Sequence, residues 1–239
     1  MQIATRIAAL LTLATIAALP ILAPAAENTL TDAEKADGWT LLFDGKTTTG
    51  WHSFKKKTFP EKGWDVQDGW LHCAGKRGGD VISDGEFDNF ELTWEWKQAS
   101  GGNSGLKYFV LETRNAALGH EYQMIDDERH EDAKVAGGTH KTATFYDVLK
   151  TTVPAPAKEP GQVNVSRIVV KGNHVEHWLN GAKVLEYECG SDEVKAAVAK
   201  SKFKSVAGFG DKVKAHLLLQ DHNSEAWFRN IKLRPLSAT

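Results

Sequence analysis

The sequence predicts an all-β fold: a two-sheet antiparallel sandwich of the jelly-roll kind, with one short helix and long loops. Three observations carry that prediction. Turn dipeptides at Asp44-Gly45, Asp68-Gly69, Asp84-Gly85 and Asn180-Gly181 mark places where the backbone must tolerate positive φ. Between such signals, short runs alternate apolar and polar residues with period two. The composition, 41% hydrophobic and 25% charged over 239 residues, is that of a globular protein rather than a disordered or fibrous one.

Along the chain, residues 1–25 come first and have the pattern of an export signal. Arg6 provides a positive start, residues 7–22 are apolar and uncharged, and Ala23-Pro24-Ala25 supplies the small-x-small cleavage pattern. The run is short for a spanning helix, and no later segment is long and apolar enough to be one. A periplasmic or secreted protein with no membrane attachment after cleavage is therefore expected. Residues 26–239 then form a single domain, without an internal repeat or a composition break.

Residues 31–36 make a brief helical stretch. In residues 90–97, Phe90, Leu92, Trp94 and Trp96 alternate with Glu91, Thr93, Glu95 and Lys97, as in a strand with one buried face. Residues 126–140 and the proline-bearing 151–161 read as loops, and long loops in a compact sandwich are often functional. Ile168-Val169-Val170, residues 175–179, Asn180-Gly181 and Val184-Leu185 read as successive hairpins. Ser191 can cap a helix whose first turn holds Asp192 and Glu193 and whose apolar stripe is Val194, Ala197 and Val198. Residues 216–220 and 227–233 close the fold as strands around a turn at 221–225.

Charge narrows the function. With 29 Lys and Arg against 31 Asp and Glu, the formal charge of −2 offers no basic field for phosphates, which excludes nucleic acid as a partner. Two cysteines cannot make a disulfide scaffold; after export, Cys73 and Cys189 could pair or stay as buried thiols. Eight Trp mark either a large aromatic core or stacking surfaces for a ligand.

Polar residues at strand spacing supply the candidate site. Glu121 and Gln123 share one face of a strand, as do Gln220 with His222 and Trp227 with Arg229, while Glu95 sits between two Trp. Gln, Glu and His beside Trp resemble a sugar-binding surface more than a solvated face of Lys, Thr and Ser. Asn103-Ser104-Gly105, after Gly101-Gly102, reads as a hairpin turn, and His140-Lys141 as a base with a charged neighbour or an exposed loop pair. No zinc-protease, CxxC, nucleophile-elbow or P-loop pattern is present. A divalent ion on mixed His, Asp and Glu is possible chemistry, but no spacing fixes a metal site and no cofactor is assigned.

An ordered set of short matches then gives a resemblance. The pieces include Gly50-Trp51, Asn103-Ser104-Gly105, the G-x-E-x-Q-x-x-D stretch from Gly119 to Asp126, Tyr146-Asp147, and His177-Trp178-Leu179-Asn180-Gly181. They end with Leu219-Gln220-Asp221-His222 and Phe228-Arg229-Asn230-Ile231. From about Gly38 to Leu236 the chain resembles the exported 3-keto-disaccharide hydrolases, also described as 3-keto-glucoside 1,2-lyase/3-keto-2-hydroxy-glucal hydratase domains. Two positions depart from the family pattern: Val163 replaces a Trp before Asn164, and Asn223 replaces a Gly after His222.

The resemblance implies a concanavalin A-like sandwich acting on a small carbohydrate, a glucoside oxidised at C3. The ketone acidifies the C2 hydrogen, so a base can remove it and the C1–O bond can break by elimination, with or without hydration of the glucal. Expected for the base are His140 or Glu121, and for the leaving group Asp126 or His222. Arg229, Lys107 or a divalent ion would stabilise the enolate. Gln123, Gln220, Glu95, Asn103, His177 and Tyr146 would hold sugar hydroxyls. Two alternatives stand beside this one: a non-catalytic carbohydrate-binding domain, and a conventional glycoside hydrolase using Glu95 with Glu121. Buried, mutually close acid–base groups in a cleft would favour an enzyme; a shallow aromatic platform would favour the lectin.

Overall fold

The computed structural model describes residues 27–237, so the apolar run at 1–25 lies outside the described residues. In chain order the elements are α1 (Asp32–Ala36), β1 (Thr40–Leu41), β2 (Trp51–Ser53), β3 (Trp64–Gln67), β4 (Trp70–Ala74), β5 (Val81–Phe87) and β6 (Phe90–Gln98). They continue with β7 (Asn103–Val110), β8 (His120–Ile125), a 3-10 turn (Glu131–Lys134), β9 (Asn164–Lys171), β10 (His174–Leu179), β11 (Ala182–Glu188), α2 (Asp192–Val198), β12 (Ala215–Leu219) and β13 (Glu225–Pro235).

All strand pairs are antiparallel and form two sheets. One runs β11-β10-β9-β6-β13-β4-β3, with β1 also on β13; the other runs β2-β5-β12-β7-β8. The sequence dictates the hairpins directly. Asp68 (φ 48°) and Gly69 (φ 77°) turn β3 into β4, and Asn180 (φ 47°) with Gly181 (φ 86°) turns β10 into β11. Asp84-Gly85 does not turn the chain: it lies inside β5, where the pairing with β12 shifts register. Asn223 takes φ 59°, so this Asn carries the left-handed position where the family pattern has Gly. Thr31 and Ser191 cap the two helices with their side chains, and α2 buries Val194 and Val198. There are thus two short helices and a 3-10 turn among the described residues, where the sequence predicts one prominent helix.

The sheets pack through alternate residues. Phe90, Leu92, Trp94 and Phe228 of the larger sheet meet Leu106, Tyr108, Tyr122 and Met124 of the smaller one. The Trp94 and Tyr122 rings lie edge to face at 4.9 Å. Trp51, Trp64, Trp94 and Trp96 pack in the core, so half of the eight Trp belong to it. Cys73 and Cys189 are two buried free thiols, each pushed up to about 12 chiefly by burial.

Polar side chains also cross the core. His120 Nδ1 lies 2.9 Å from the Tyr187 hydroxyl, Tyr187 and Tyr108 hydroxyls are 2.5 Å apart, and the Tyr108 hydroxyl is 2.7 Å from His177 Nε2. His177 Nδ1 ends the chain 2.9 Å from the Ala143 carbonyl. A carbonyl only accepts, so His177 donates from Nδ1 and accepts from Tyr108 at Nε2. Burial holds His177 at about 4 and His120 at about 3. Both rings are neutral when folded but protonate near 6.5 when unfolded, so the unfolded state binds more protons between about 4 and 6.5. Stability should therefore fall as pH drops through that window, by about 1.4 kcal/mol per pH unit for each ring. Denaturant unfolding followed from pH 7.5 to 4.5 measures this; a flat profile would contradict the burial of two neutral imidazoles.

Candidate active site

The outer face of β7 and β8 gathers the polar residues. Lys107 stands opposite Glu121 and Gly105 opposite Gln123 in the register, with Asn103 two residues further along the same face. Asn103-Ser104-Gly105 therefore belongs to a strand rather than to a hairpin turn; the turn is one step earlier, where the Gly102 amide donates to the Ala99 carbonyl. Gly105 has a steric purpose. A Cβ placed there would sit 2.6 Å from Glu121 Oε1 and 3.2 Å from its Cδ, so the carboxylate lies over a bare backbone.

Around that carboxylate the contacts are polar and close. Glu121 Oε2 is 3.6 Å from Lys107 Nζ, with side chains only 7% and 10% exposed. Gln220 follows β12, and its main-chain amide donates to the Gly105 carbonyl at 3.0 Å. With its side-chain amide oriented to satisfy both neighbours, its nitrogen donates to Glu121 Oε1 at 3.3 Å and its oxygen accepts from Lys107 Nζ at 3.2 Å. Lys107 Nζ also donates to the Ala117 carbonyl at 3.3 Å. Asn103 is 2% exposed, and its Oδ1 has no hydrogen-bond partner among the described residues. An orphaned buried acceptor facing a cleft is a place for a donor from outside the protein.

One wall of the cleft is the segment 139–149, which runs along the edge of β8. Ala143 donates its amide to Gln123 at 2.8 Å, and Tyr146 donates to Glu121 at 3.1 Å. Ala143 holds φ 66° there, and the His177 ring takes its carbonyl. Tyr146 donates its hydroxyl to Asp132 Oδ2 at 2.9 Å. His140 lies behind it, Nδ1 2.8 Å from Asp132 and Nε2 2.9 Å from Asp147. Burial works to raise the Asp132 carboxyl, but the bonds from His140 and Tyr146 hold it below its ordinary value. Burial raises the Tyr146 phenol, and the Asp132 and Glu121 charges push it further up.

The cleft contains Asn103, Lys107, Glu121, Gln123, Tyr146, Gln220 and His222 from the set expected on sequence. Its enclosed part is about 80 Å³, room for a few waters, so any larger ligand must also rest on the rim. A larger groove of about 740 Å³ passes residues 148–154 and Leu185, but Glu186 and Glu193 are its only carboxylates and no buried acid–base pair lines it.

Five expected residues lie elsewhere. Glu95 and Arg229 pair at 2.7 Å on the outer face of the larger sheet, where the Arg229 guanidinium also meets Glu27 and covers the Trp70 ring at 4.1 Å. Strand alternation put them on a polar face, but on the opposite side of the sandwich from Glu121. This placement also separates the two carboxylates a conventional glycosidase would need. His177 is wholly buried and positions the 139–149 segment rather than a sugar. Asp126 accepts from Gly101 at 2.8 Å and from the Glu128 and Arg129 amides at 3.2 Å each. Burial works against it, yet those bonds hold its carboxyl below the ordinary range; it fastens two loops instead of facing the cleft. His140 has both nitrogens against carboxylates one layer behind Tyr146, so neither faces the cleft.

Sequence reasoning missed Lys202 and Phe203, which line the cleft from the irregular segment after α2, and Asp80, which accepts from the Asp221 amide at 2.9 Å. Burial raises the Asp80 carboxyl, partly opposed by the Lys107 charge. No periodicity marks any of these three. Among the described residues, the group whose ligand atoms converge for a metal is His174, Glu176 and Glu186, on the larger sheet and already bound by Lys183. No described helix is long and apolar enough to cross a membrane.

Known proteins are similar to this chain in sequence and fold. The chain is 34% identical over 232 residues to a 3-keto-disaccharide hydrolase of Bacteroides thetaiotaomicron, covering 84% of this chain and 79% of that one. It superposes on the crystal structure of a candidate glycosyl hydrolase of Parabacteroides distasonis with TM-score 0.79 and 34% identity, covering 88% of this chain and all of the other. A second candidate glycosyl hydrolase from the same organism gives TM-score 0.67 at 27% identity, over 83% of this chain and 99% of that one. The family model for the 3-keto-alpha-glucoside-1,2-lyase-like domain matches residues 38–234, a span that holds every strand of both sheets but the last residue of β13. On this match and these identities, the chain belongs to the 3-keto-alpha-glucoside-1,2-lyase-like family.

Proposed function

We propose that this protein is a glycoside-cleaving enzyme acting on 3-keto-glucosides, with Glu121 as the base at C2. The observation that carries the reading is the Glu121 carboxylate itself, enclosed at the cleft floor over Gly105 and held by Lys107 and Gln220. Membership of the family and identity to a 3-keto-disaccharide hydrolase support it. So does the presence of buried, mutually close charged groups, which a lectin platform does not need.

In this reading Glu121 takes the C2 proton, and the C2–H electron pair moves into the carbonyl as an enolate at the C3 oxygen. The enolate collapses, a C1–C2 double bond forms, and the C1–O pair leaves on the aglycone oxygen. That oxygen takes a proton from the rim, where His222 is exposed and within 6.4 Å of the His130 ring. Addition of water to the 2-hydroxy-glucal would complete net hydrolysis. Asn103 Oδ1 accepts from a sugar hydroxyl, and Gln123 is placed to hold another. The pattern at residues 1–25 supports action outside the cytoplasm.

The test pairs a 3-keto-glucoside with its unoxidised parent, following aglycone release and the ultraviolet absorbance of the conjugated enone. Cleavage confined to the ketone, with transient enone, is the expected result. Equal cleavage of the parent, or sugar binding without cleavage of either, would overturn the proposal.

A further inference from the structure

Elimination through an enolate needs a positive charge or strong donor at the C3 oxygen, and the structure narrows which group can supply it. Arg229 is on the far sheet, locked to Glu95 and Glu27. Lys107 is in the cleft, but its Nζ donates to the Ala117 carbonyl and the Gln220 oxygen, and its charge is paired with Glu121 at 3.6 Å. An ammonium tied to two fixed acceptors and paired with the base itself is poorly placed to follow a charge that develops elsewhere.

Lys202 is differently held. Its main-chain amide donates to Asp147 Oδ2 at 2.7 Å, which fixes the backbone at the rim. Its Nζ lies 4.2 Å from the Tyr146 ring centroid and 5.2 Å from that of Phe203. Among the described residues, it has no ion pair within 4 Å and no side-chain hydrogen bond, so its three donors are free for a ligand. Tyr146 cannot swing away, because Asp132 holds its hydroxyl and His140 ties Asp132 to Asp147. The same Asp147 that receives His140 receives the Lys202 amide, so one network fixes both the ring and the base of the lysine. The negative ring face restrains the ammonium, which also feels the Asp132 charge without bonding to it.

We propose that Lys202 is the cation that binds the developing C3 oxyanion, in the same cleft as Glu121, with Tyr146 and the Asp132–His140–Asp147 network as its positioning group. The inference rests on the 3-keto-glucoside reading above. Glu121 and Lys202 both line that cleft, so a sugar seated there would meet the base and the cation on different side chains. The proton goes to Glu121, the charge appears opposite Lys202, and no redox partner is needed.

The experiment compares wild type with Lys202→Gln and Lys202→Arg in two assays. One is kcat and KM for cleavage of a 3-keto-glucoside. The other is exchange of the C2 hydrogen in deuterated buffer on a 1-deoxy-3-keto sugar, which has no leaving group and so reports enolisation alone. Loss of one oxyanion contact predicts about a 100-fold fall in kcat and in exchange rate for Lys202→Gln, with KM changed only a few-fold. Lys202→Arg should recover most of that loss, since it restores a cation over the ring. Both variants should melt near wild type, because the side chain is exposed and the main-chain amide bond to Asp147 is unchanged. Wild-type exchange in Lys202→Gln, a change in KM alone, or equal loss in both variants would overturn the assignment. If the wild-type protein neither exchanges nor cleaves, the 3-keto-glucoside reading itself has failed, a result distinct from failure of Lys202 alone.

Discussion

Replacing Glu121 by Gln should lower kcat on a 3-keto-glucoside by about 1,000-fold, within the range that a positioned base contributes. The substitution keeps the shape of the side chain and one acceptor oxygen but removes the proton-accepting carboxylate. Stability should change little, because Lys107 keeps the Gln220 oxygen and the Ala117 carbonyl as partners. KM should move only modestly, since Asn103, Gln123 and the rim still hold the sugar. Exchange of the C2 hydrogen should fall in parallel with cleavage; a variant that cleaves slowly yet exchanges at the wild-type rate would place the base elsewhere.

A comparable loss should follow from a change that touches no acid or base. Gly105→Ala would put a methyl 2.6 Å from Glu121 Oε1, closer than real contacts allow. The obstructed atom is the end of a flexible side chain, so the fold can relieve the clash by moving the carboxylate rather than the strand. A shift near 1 Å at a reacting group can cost about 100-fold in rate. Melting temperature should therefore remain close to wild type while kcat falls by about 100-fold. The double variant with Glu121→Gln is the sharper measurement. If the methyl acts only by displacing the carboxylate, it should cost almost nothing once that carboxylate is gone. Additive losses would mean that Gly105 matters for another reason.

The fold was legible because its signals are local. Period-two alternation in residues 90–97 and Asn-Gly between β10 and β11 each specify their own strand or turn. Asp84-Gly85 misled for the same reason: the dipeptide permits a turn, but pairing of the flanking residues with β2 and β12 keeps it in a strand. The site was partly legible. Alternation tells which residues share a face, and so it found Glu121 with Gln123. It does not tell which side of a sandwich a face belongs to, and so Glu95 and Arg229 were grouped with a cleft on the other side. His140 was read as a base with Lys141 for a charged neighbour or as an exposed loop pair, whereas its ring is held by Asp132 and Asp147. Lys202 left no local trace, since its place depends on Asp147, 55 residues away.

The segment 139–149 has a second consequence. Sheet edges with open amide and carbonyl rows invite other chains to add a strand, which leads to aggregation. By donating from Ala143 and Tyr146 to β8, this segment occupies the border of the smaller sheet nearest the cleft. Whatever loosens it would thus uncover a sticky margin and dismantle the reaction chamber in one event, so clumping in solution and lost turnover should arise together in variants of this stretch.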